Sequence, residues 1–179
     1  TRFDGVHKHY APVRAQHVRE RQCVHRSVRA YEFARIDLVF QCSDNTWQAY
    51  NRWPNNYSVY THPKGVQGPW ADVSFDRPYG REAQHTGVVN DPLTVGSGEF
   101  LPFEFPLAFW LEKHGYDVSY CCNSDMLTPD RGLRCKAFIS VGHDEYWDIR
   151  QFHSVEKMRD EGVSLLFLSG NSVCWVTPM

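Results

Sequence analysis

The chain has 179 residues, enough for one domain with a substantial core, and its formal net charge is only −2. Hydrophobic residues make up 42% of it and aromatic residues 15%, which is typical of a globular rather than a disordered protein. The near-neutral charge gives no indication of a nucleic-acid partner, and no apolar run reaches the roughly 18 residues that a transmembrane helix needs. We therefore expect neither nucleic acid nor a membrane as a partner.

Residues 1–35 differ from the rest of the chain, because they are rich in Arg and His and their apolar residues follow no clear period. Two interpretations are open: a basic arm that contacts an anionic partner, or an irregular lead-in that contributes little. We favour the irregular lead-in, and the stretch also lacks the apolar core of a signal peptide. The folded domain is therefore predicted to span residues 36–179.

Four short apolar runs, each ended by polar residues, predict buried β-strands. They are IDLVFQCS (36–43), GYDVSYCC (115–122), KAFISVGH (136–143) and VSLLFLSGN (163–171). Because the runs are almost continuously apolar, they indicate a parallel sheet covered on both faces.

Two amphipathic segments alternate with these runs and predict helices at residues 104–115 and 148–162. The first has Pro106 in its opening turn and Gly115 as a natural stop. The order helix, strand, strand, helix, strand after residue 100 predicts an α/β fold with a mainly parallel sheet flanked by helices.

Residues 44–100 do not follow this alternation and are rich in Asn, Pro, Gly and aromatic residues. They predict a long irregular, aromatic-rich insertion, and insertions of that length in a compact domain are usually functional or disordered. The sequence stops a few residues after the last predicted strand, so we expect it to be part of a larger protein.

Six cysteines occur without a C-x-x-C pair, which argues against a zinc knuckle. Cys42, Cys121 and Cys174 lie on apolar runs, where a reduced core thiol is the ordinary interpretation. This usage favours a reducing compartment, and we predict a cytoplasmic location.

Polar clusters follow three of the predicted strands, at residues 41–53, 142–147 and 168–175. In open α/β sheets, function gathers at the carboxyl ends of the strands, so the three clusters should share one edge. In the second cluster His143 and Glu145 are two residues apart, and an extended backbone would project both to the same side. The alternative is that Asp144 or Glu145 caps the following helix and His143 makes an ordinary hydrogen bond.

Seven motifs together suggest a family: SDNTWQAYNRW, YSVY, VSFDRPYG, GSGEF, FPLAFWLEKHGYDVSY, ISVGHDEYW and LFLSGNSVCW. Over about residues 36–178 the chain resembles the catalytic domain of the N,N-dimethylformamidase large (beta) subunit family, whereas residues 1–35 carry none of these motifs. The resemblance implies a class I glutamine amidotransferase-like, flavodoxin-like core. It also implies a mononuclear ferric iron held by two tyrosines and one glutamate, a small partner subunit and a homo-oligomer.

The same resemblance assigns roles residue by residue. Glu145 in GHDEYW resembles the carboxylate ligand, His143 the neighbouring catalytic histidine, and Asn171 in SGNSVCW an asparagine of that pocket. Tyr50 and Tyr60 match the two ligand tyrosines best. Tyr79 in FDRPYG is the alternative for either tyrosine.

These assignments agree with the chemistry of the residues. Hard oxygen donors suit a ferric ion, and two phenolates with one carboxylate would neutralise its charge. The expected function is therefore iron-dependent hydrolysis of a small amide such as a dialkylformamide. The metal would activate water or the amide carbonyl, while His143 moves protons and Asn171 donates to the oxyanion.

Two other functions are compatible with a fold of this kind. A non-catalytic module could keep the fold and use its aromatic insertion to bind a carbohydrate or a protein. An amidotransferase-like enzyme would need a cysteine nucleophile on a tight strand-to-helix turn, and GHDEYW offers none.

Overall fold

A computed structural model describes residues 36–53, 58–60, 73–79, 98–128 and 134–177. The predicted lead-in at 1–35 and most of the predicted insertion lie outside these residues.

Six strands are present in the described part of the chain. In chain order they are β1 (Ile36–Cys42), β2 (Val118–Cys122), β3 (Cys135–His143), β4 (Tyr146–Trp147), β5 (Ser164–Gly170) and β6 (Trp175–Val176). Four of them form one sheet in the order β2-β1-β3-β5, and every neighbouring pair is parallel. The four predicted strands and the parallel sheet are thus confirmed, with ends shifted by at most three residues.

Within the described ranges, three α-helices accompany the sheet: α1 (Asp44–Tyr50), α2 (Phe105–Lys113) and α3 (Ile149–Asp160). A π-helical turn at Phe100–Glu104 leads into α2, and a 3-10 turn at Asn123–Leu127 follows β2. The predicted helices α2 and α3 are confirmed. The cap of α3 is Asp148, whose side chain accepts a hydrogen bond from the backbone of Arg150. The alternative that Asp144 or Glu145 caps this helix is therefore wrong.

Each face of the sheet is buried by its own apolar cluster, because alternate residues of β1 and β3 point to opposite sides. Val39 and Phe138 pack with Val155 and Met158 of α3, whereas Phe40 and Ile139 pack on the other side, in the cluster that holds Leu111 of α2. Both faces of these central strands are therefore covered, as the apolar runs predicted. At the edge, β5 leaves Leu166, Phe167 and Leu168 exposed.

The structure corrects two sequence-based expectations. The start of the predicted irregular insertion is the helix α1, whose residues 44–49 are buried. Cys174 is a free thiol but is exposed rather than part of the core, while Cys42 is free and buried. Cys122, in contrast, is disulfide-bonded. No helix among the described residues combines the length and the apolar character that crossing a membrane requires.

Candidate metal and catalytic site

The candidate site lies where β1, β3 and β5 end side by side. His143 is the last residue of β3 and pairs with Gly170, the last residue of β5, so Asn171 follows directly beside it. Gly142 adopts a positive φ of +81°, and a Cβ there would lie 2.9 Å from Cγ of Glu104. A side chain at position 142 is therefore excluded both by backbone conformation and by space.

The Glu145 carboxylate is the centre of the site. Its Oε2 accepts a hydrogen bond of 2.8 Å from the Tyr50 hydroxyl and lies 3.1 Å from Nε2 of His143. Its Oε1 accepts bonds of 3.2 Å from the Tyr60 hydroxyl and 2.7 Å from the Trp175 indole. Two phenols, an imidazole and an indole thus converge on one carboxylate.

Asn171 completes the group, next to the same imidazole nitrogen that faces Glu145. Its amide nitrogen lies 3.3 Å from Nε2 of His143, within hydrogen-bonding distance. Asn171 has a φ of 48° and Val173 one of 58°, both in the left-handed region. Asn tolerates that conformation, but a β-branched residue adopts it only under constraint, and such residues concentrate at functional sites.

The segment that carries Glu145 is held by its backbone. The Glu145 amide donates to Oγ1 of Thr46 at 3.0 Å, and its carbonyl accepts from the Trp175 amide at 2.9 Å. The Tyr146 carbonyl accepts from the Asn45 side chain at 2.9 Å. Because Thr46 and Asn45 belong to α1, the helix that presents Tyr50 also fixes the position of Glu145.

Asp144 points away from the site into a buried polar network. Its carboxylate accepts hydrogen bonds from Gln41 at 2.5 Å, Ser140 at 2.8 Å and Asn123 at 3.0 Å. Burial raises the pKa of Asp144, and these donors oppose the rise. Asp144 therefore anchors the turn, while its neighbours His143 and Glu145 face the site.

The protonation of the site follows from its burial and its charges. Burial alone would lower the pKa of His143, but Glu145 and Glu99 outweigh burial and raise it to about 9. Burial alone would raise the pKa of Glu145, but hydrogen bonds from His143 and Tyr50 lower it. Burial raises the pKa of both Tyr50 and Tyr60, so without a cation the two phenols stay protonated beside an ionised carboxylate.

A family model described as N,N-dimethylformamidase beta subunit-like, C-terminal, matches residues 9–179 of the chain. The chain belongs to this family. The match begins at residue 9, before residue 36, where the resemblance in the motifs starts. No curated protein matches the sequence significantly.

In this N,N-dimethylformamidase beta subunit-like chain, the five residues singled out from the sequence all lie in one site. They are Tyr50, Tyr60, His143, Glu145 and Asn171. Tyr79, the alternative tyrosine, lies elsewhere: its ring packs edge-on against Trp47, and burial raises its pKa. The choice of Tyr50 and Tyr60 is therefore consistent with the geometry, and Tyr79 is not part of the site.

Sequence reasoning missed three residues of the site. The hydroxyl of Tyr146 contacts that of Tyr60, whereas the neighbouring Trp147 packs in the core against Phe138. Trp175 and Glu99 were given no role. Both stand in motifs that carried the family resemblance, SGNSVCW and GSGEF, and those motifs were the signal that could have identified them.

The donor set fits a hard cation. Within the described ranges, His, Cys, Asp and Glu side chains alone form no group of three or more that could hold a metal ion. Here two phenol oxygens join the carboxylate, with the rings of Tyr50 and Tyr60 4.6 Å apart between centroids. Oxygen donors that meet at one point suit a hard ion. A cation bound to these oxygens would displace the hydrogen-bonded protons of the two phenols.

Proposed function

We propose that the chain is a hydrolase of a small amide, such as a dialkylformamide, that depends on a mononuclear ferric ion. The observation that carries this proposal is the convergence of two tyrosine hydroxyls on the Glu145 carboxylate, next to His143. Tyr50, Tyr60 and Glu145 would hold the metal, whose role is to polarise the amide carbonyl or lower the pKa of a bound water.

The charges support this proposal. A tyrosine with a pKa near 10 ionises at neutral pH only beside a strong Lewis acid. Burial and the Glu145 charge make ionisation of Tyr50 still harder. Two phenolates and one carboxylate would balance the three charges of a ferric ion, which lowers the cost of holding it in a partly buried site.

His143 and Asn171 supply the remaining groups. With Glu145 engaged by the metal, Nε2 of His143 is the base that takes a proton from the attacking water and returns it to the leaving amine. Asn171, whose amide nitrogen lies 3.3 Å from that Nε2, donates to the oxyanion, a role worth on the order of 3 kcal/mol in comparable sites.

We extend the same proposal to the fold family of the core, the assembly and the location of the protein. The order β2-β1-β3-β5 of parallel strands supports a flavodoxin-like, class I glutamine amidotransferase-like core. The family's description as a beta subunit supports a small partner subunit, and we extend the proposal to a homo-oligomer. The free cysteines Cys42, Cys121, Cys135 and Cys174 favour a cytoplasmic location, whereas the disulfide bond of Cys122 is typical of an oxidising compartment.

The test is elemental analysis of the purified chain together with its visible absorption spectrum. We expect about one iron per chain and a phenolate-to-metal band, because tyrosinate oxygens would bind the ion directly. Glu145→Gln should lose both the iron and the band. Tyr116→Phe, which alters an exposed tyrosine, should keep both.

A second variant separates the metal from the base. His143→Gln should retain iron but lower kcat for a dialkylformamide by about 10²–10⁴-fold, the usual contribution of a positioned general base. Iron retained by Glu145→Gln would disprove the ligand assignment. A folded chain without iron or hydrolysis would instead favour the carbohydrate- or protein-binding module.

A further inference from the structure

The Glu99 carboxylate faces the opposite side of the His143 ring from Glu145. Its Oε2 lies 3.6 Å from Nδ1 of His143, an ion-pair distance that is longer than a hydrogen bond. Glu99 is 1% exposed, so its charge is nearly sealed from water. The imidazole therefore lies between two carboxylates, one at each ring nitrogen.

The backbone places Glu99 there by a local constraint. Gly98 has a φ of +61°, and a Cβ at that position would lie 3.1 Å from Cβ of Trp47. Directly after it, the carbonyl of Glu99 accepts the amide of Phe103 at 3.1 Å and opens the π-helical turn. π-helical turns are rare and often mark functional sites.

The contact between Glu99 and His143 matters because Glu99 is buried. A carboxylate removed from water is stabilised only by nearby donors or positive charge, and the Nδ1 atom of His143 is within ion-pair range. The contact therefore favours the ring orientation in which Nδ1 faces Glu99. The other ring nitrogen, Nε2, faces Glu145 and Asn171, where the proposed reaction takes place.

We infer that Glu99 is a positioning residue for His143: its contact at Nδ1 orients the ring, so that Nε2 faces the site of the proposed reaction. Its consequence for catalysis rests on the proposed hydrolase function. The logic is that of a carboxylate behind a catalytic histidine, which fixes the orientation of the ring without touching substrate.

The first test reads the ring itself and needs neither metal nor activity. In ¹⁵N-histidine-labelled, metal-free chain, His143 is assigned by the signals lost in His143→Gln. We expect one set of ring signals, because the ring is held in a single orientation. Glu99→Gln should shift or broaden these signals, whereas Glu112→Gln, which changes an exposed carboxylate, should leave them in place.

The second test is kinetic and uses the iron-loaded chain. Glu99→Gln should keep its iron and KM but lose about 10–100-fold in kcat, and Glu99→Asp, which restores the charge, should recover part of that loss. A wild-type His143 ring with several sets of signals, or a Glu99→Gln variant with unchanged ring signals and kcat, would overturn the inference. If the ring signals are as expected but the purified chain takes up no iron and hydrolyses no dialkylformamide, Glu99 keeps its positioning role and the hydrolase proposal is rejected.

Discussion

At the scale of single residues, Glu104 is a buried acid whose protonation state is changed by folding. It is fully buried, and its Oε1 accepts hydrogen bonds from the Ser43 amide at 3.2 Å, from the Ser43 hydroxyl and from the Trp47 indole at 2.9 Å. Burial raises its pKa to about 8 despite these donors. Glu104 is therefore a neutral carboxylic acid at neutral pH, and it links β1, α1 and the π-helical turn.

A raised acid pKa predicts how stability changes with pH. Between the ordinary value of 4.5 and about 8 the unfolded chain releases the Glu104 proton while the folded chain keeps it. The free energy of unfolding should therefore fall as pH rises through this window, by up to about 1.4 kcal/mol per pH unit. Glu104→Gln mimics the neutral acid and should flatten this part of the profile.

Urea denaturation at pH 5 and pH 8 checks this expectation. The wild type should lose more stability over that interval than Glu104→Gln, whereas the exposed variant Glu112→Gln should follow the wild type. Equal losses in wild type and Glu104→Gln would mean that Glu104 is ionised in the folded protein.

At the scale of elements, α1 depends on a side chain from a distant segment. The Arg77 guanidinium donates to the carbonyls of Gln48 at 2.7 Å and of Asn51 and Trp53 at 3.1 Å. These include carbonyls at the end of α1, which has no further helical turn to satisfy them. Because Tyr50 is the last residue of α1, Arg77 fixes the helix end that presents a proposed metal ligand.

Arg77→Lys should loosen that helix end, since a lysine cannot reproduce the planar set of donors. We expect iron affinity, measured by competition with a chelator, to fall about 10–100-fold, as is typical when a supporting contact of a ligand is lost. The exposed control Arg159→Lys should change nothing. Unchanged affinity in Arg77→Lys would show that Tyr50 is held by other contacts.

The same helix shows what the sequence could not predict. Near-continuous apolar runs predicted the buried strands, and an amphipathic period predicted α2 and α3. In contrast, α1 is only seven residues long and begins Asp44-Asn45, residues that favour turns. It is stabilised by tertiary contacts, namely burial of Trp47 against the sheet and the donors of Arg77, which no local pattern encodes.

At the scale of the whole molecule, stability is concentrated in the central strands. Phe138 of β3 is 0% exposed, whereas Phe167 of the edge strand β5 is 46% exposed. Truncating a buried phenylalanine removes apolar burial and leaves a cavity, so Phe138→Ala should cost about 3–5 kcal/mol. Phe167 makes a tilted ring contact with Trp147, and Phe167→Ala should cost about 1 kcal/mol.

Chemical denaturation of the two variants provides the comparison, because they make the same substitution in neighbouring strands. Similar costs at both positions would mean that another surface covers β5 in solution.

The site is also a property of the whole molecule, and sequence reasoning found it only in part. Tyr50, Tyr60, His143, Glu145 and Asn171 could be identified because their motifs resemble those of a family and because parallel strands end at one edge. The contact of Glu99 with His143 could not be predicted, since the two residues lie 44 positions apart in the chain and the contact depends on how the π-helical turn packs. The hydroxyl contact between Tyr60 and Tyr146 likewise exists only in three dimensions.

The convergence of Tyr50, Tyr60 and Glu145 has a consequence for folding itself. An ion held by these three residues would cross-link segments that lie up to 95 positions apart in the chain. Such a cross-link closes long loops and removes entropy from the unfolded chain, so the free energy of binding the ion also becomes free energy of folding. The bound ion would then contribute both to catalysis and to stability, and its loss would lower the free energy of unfolding together with the activity.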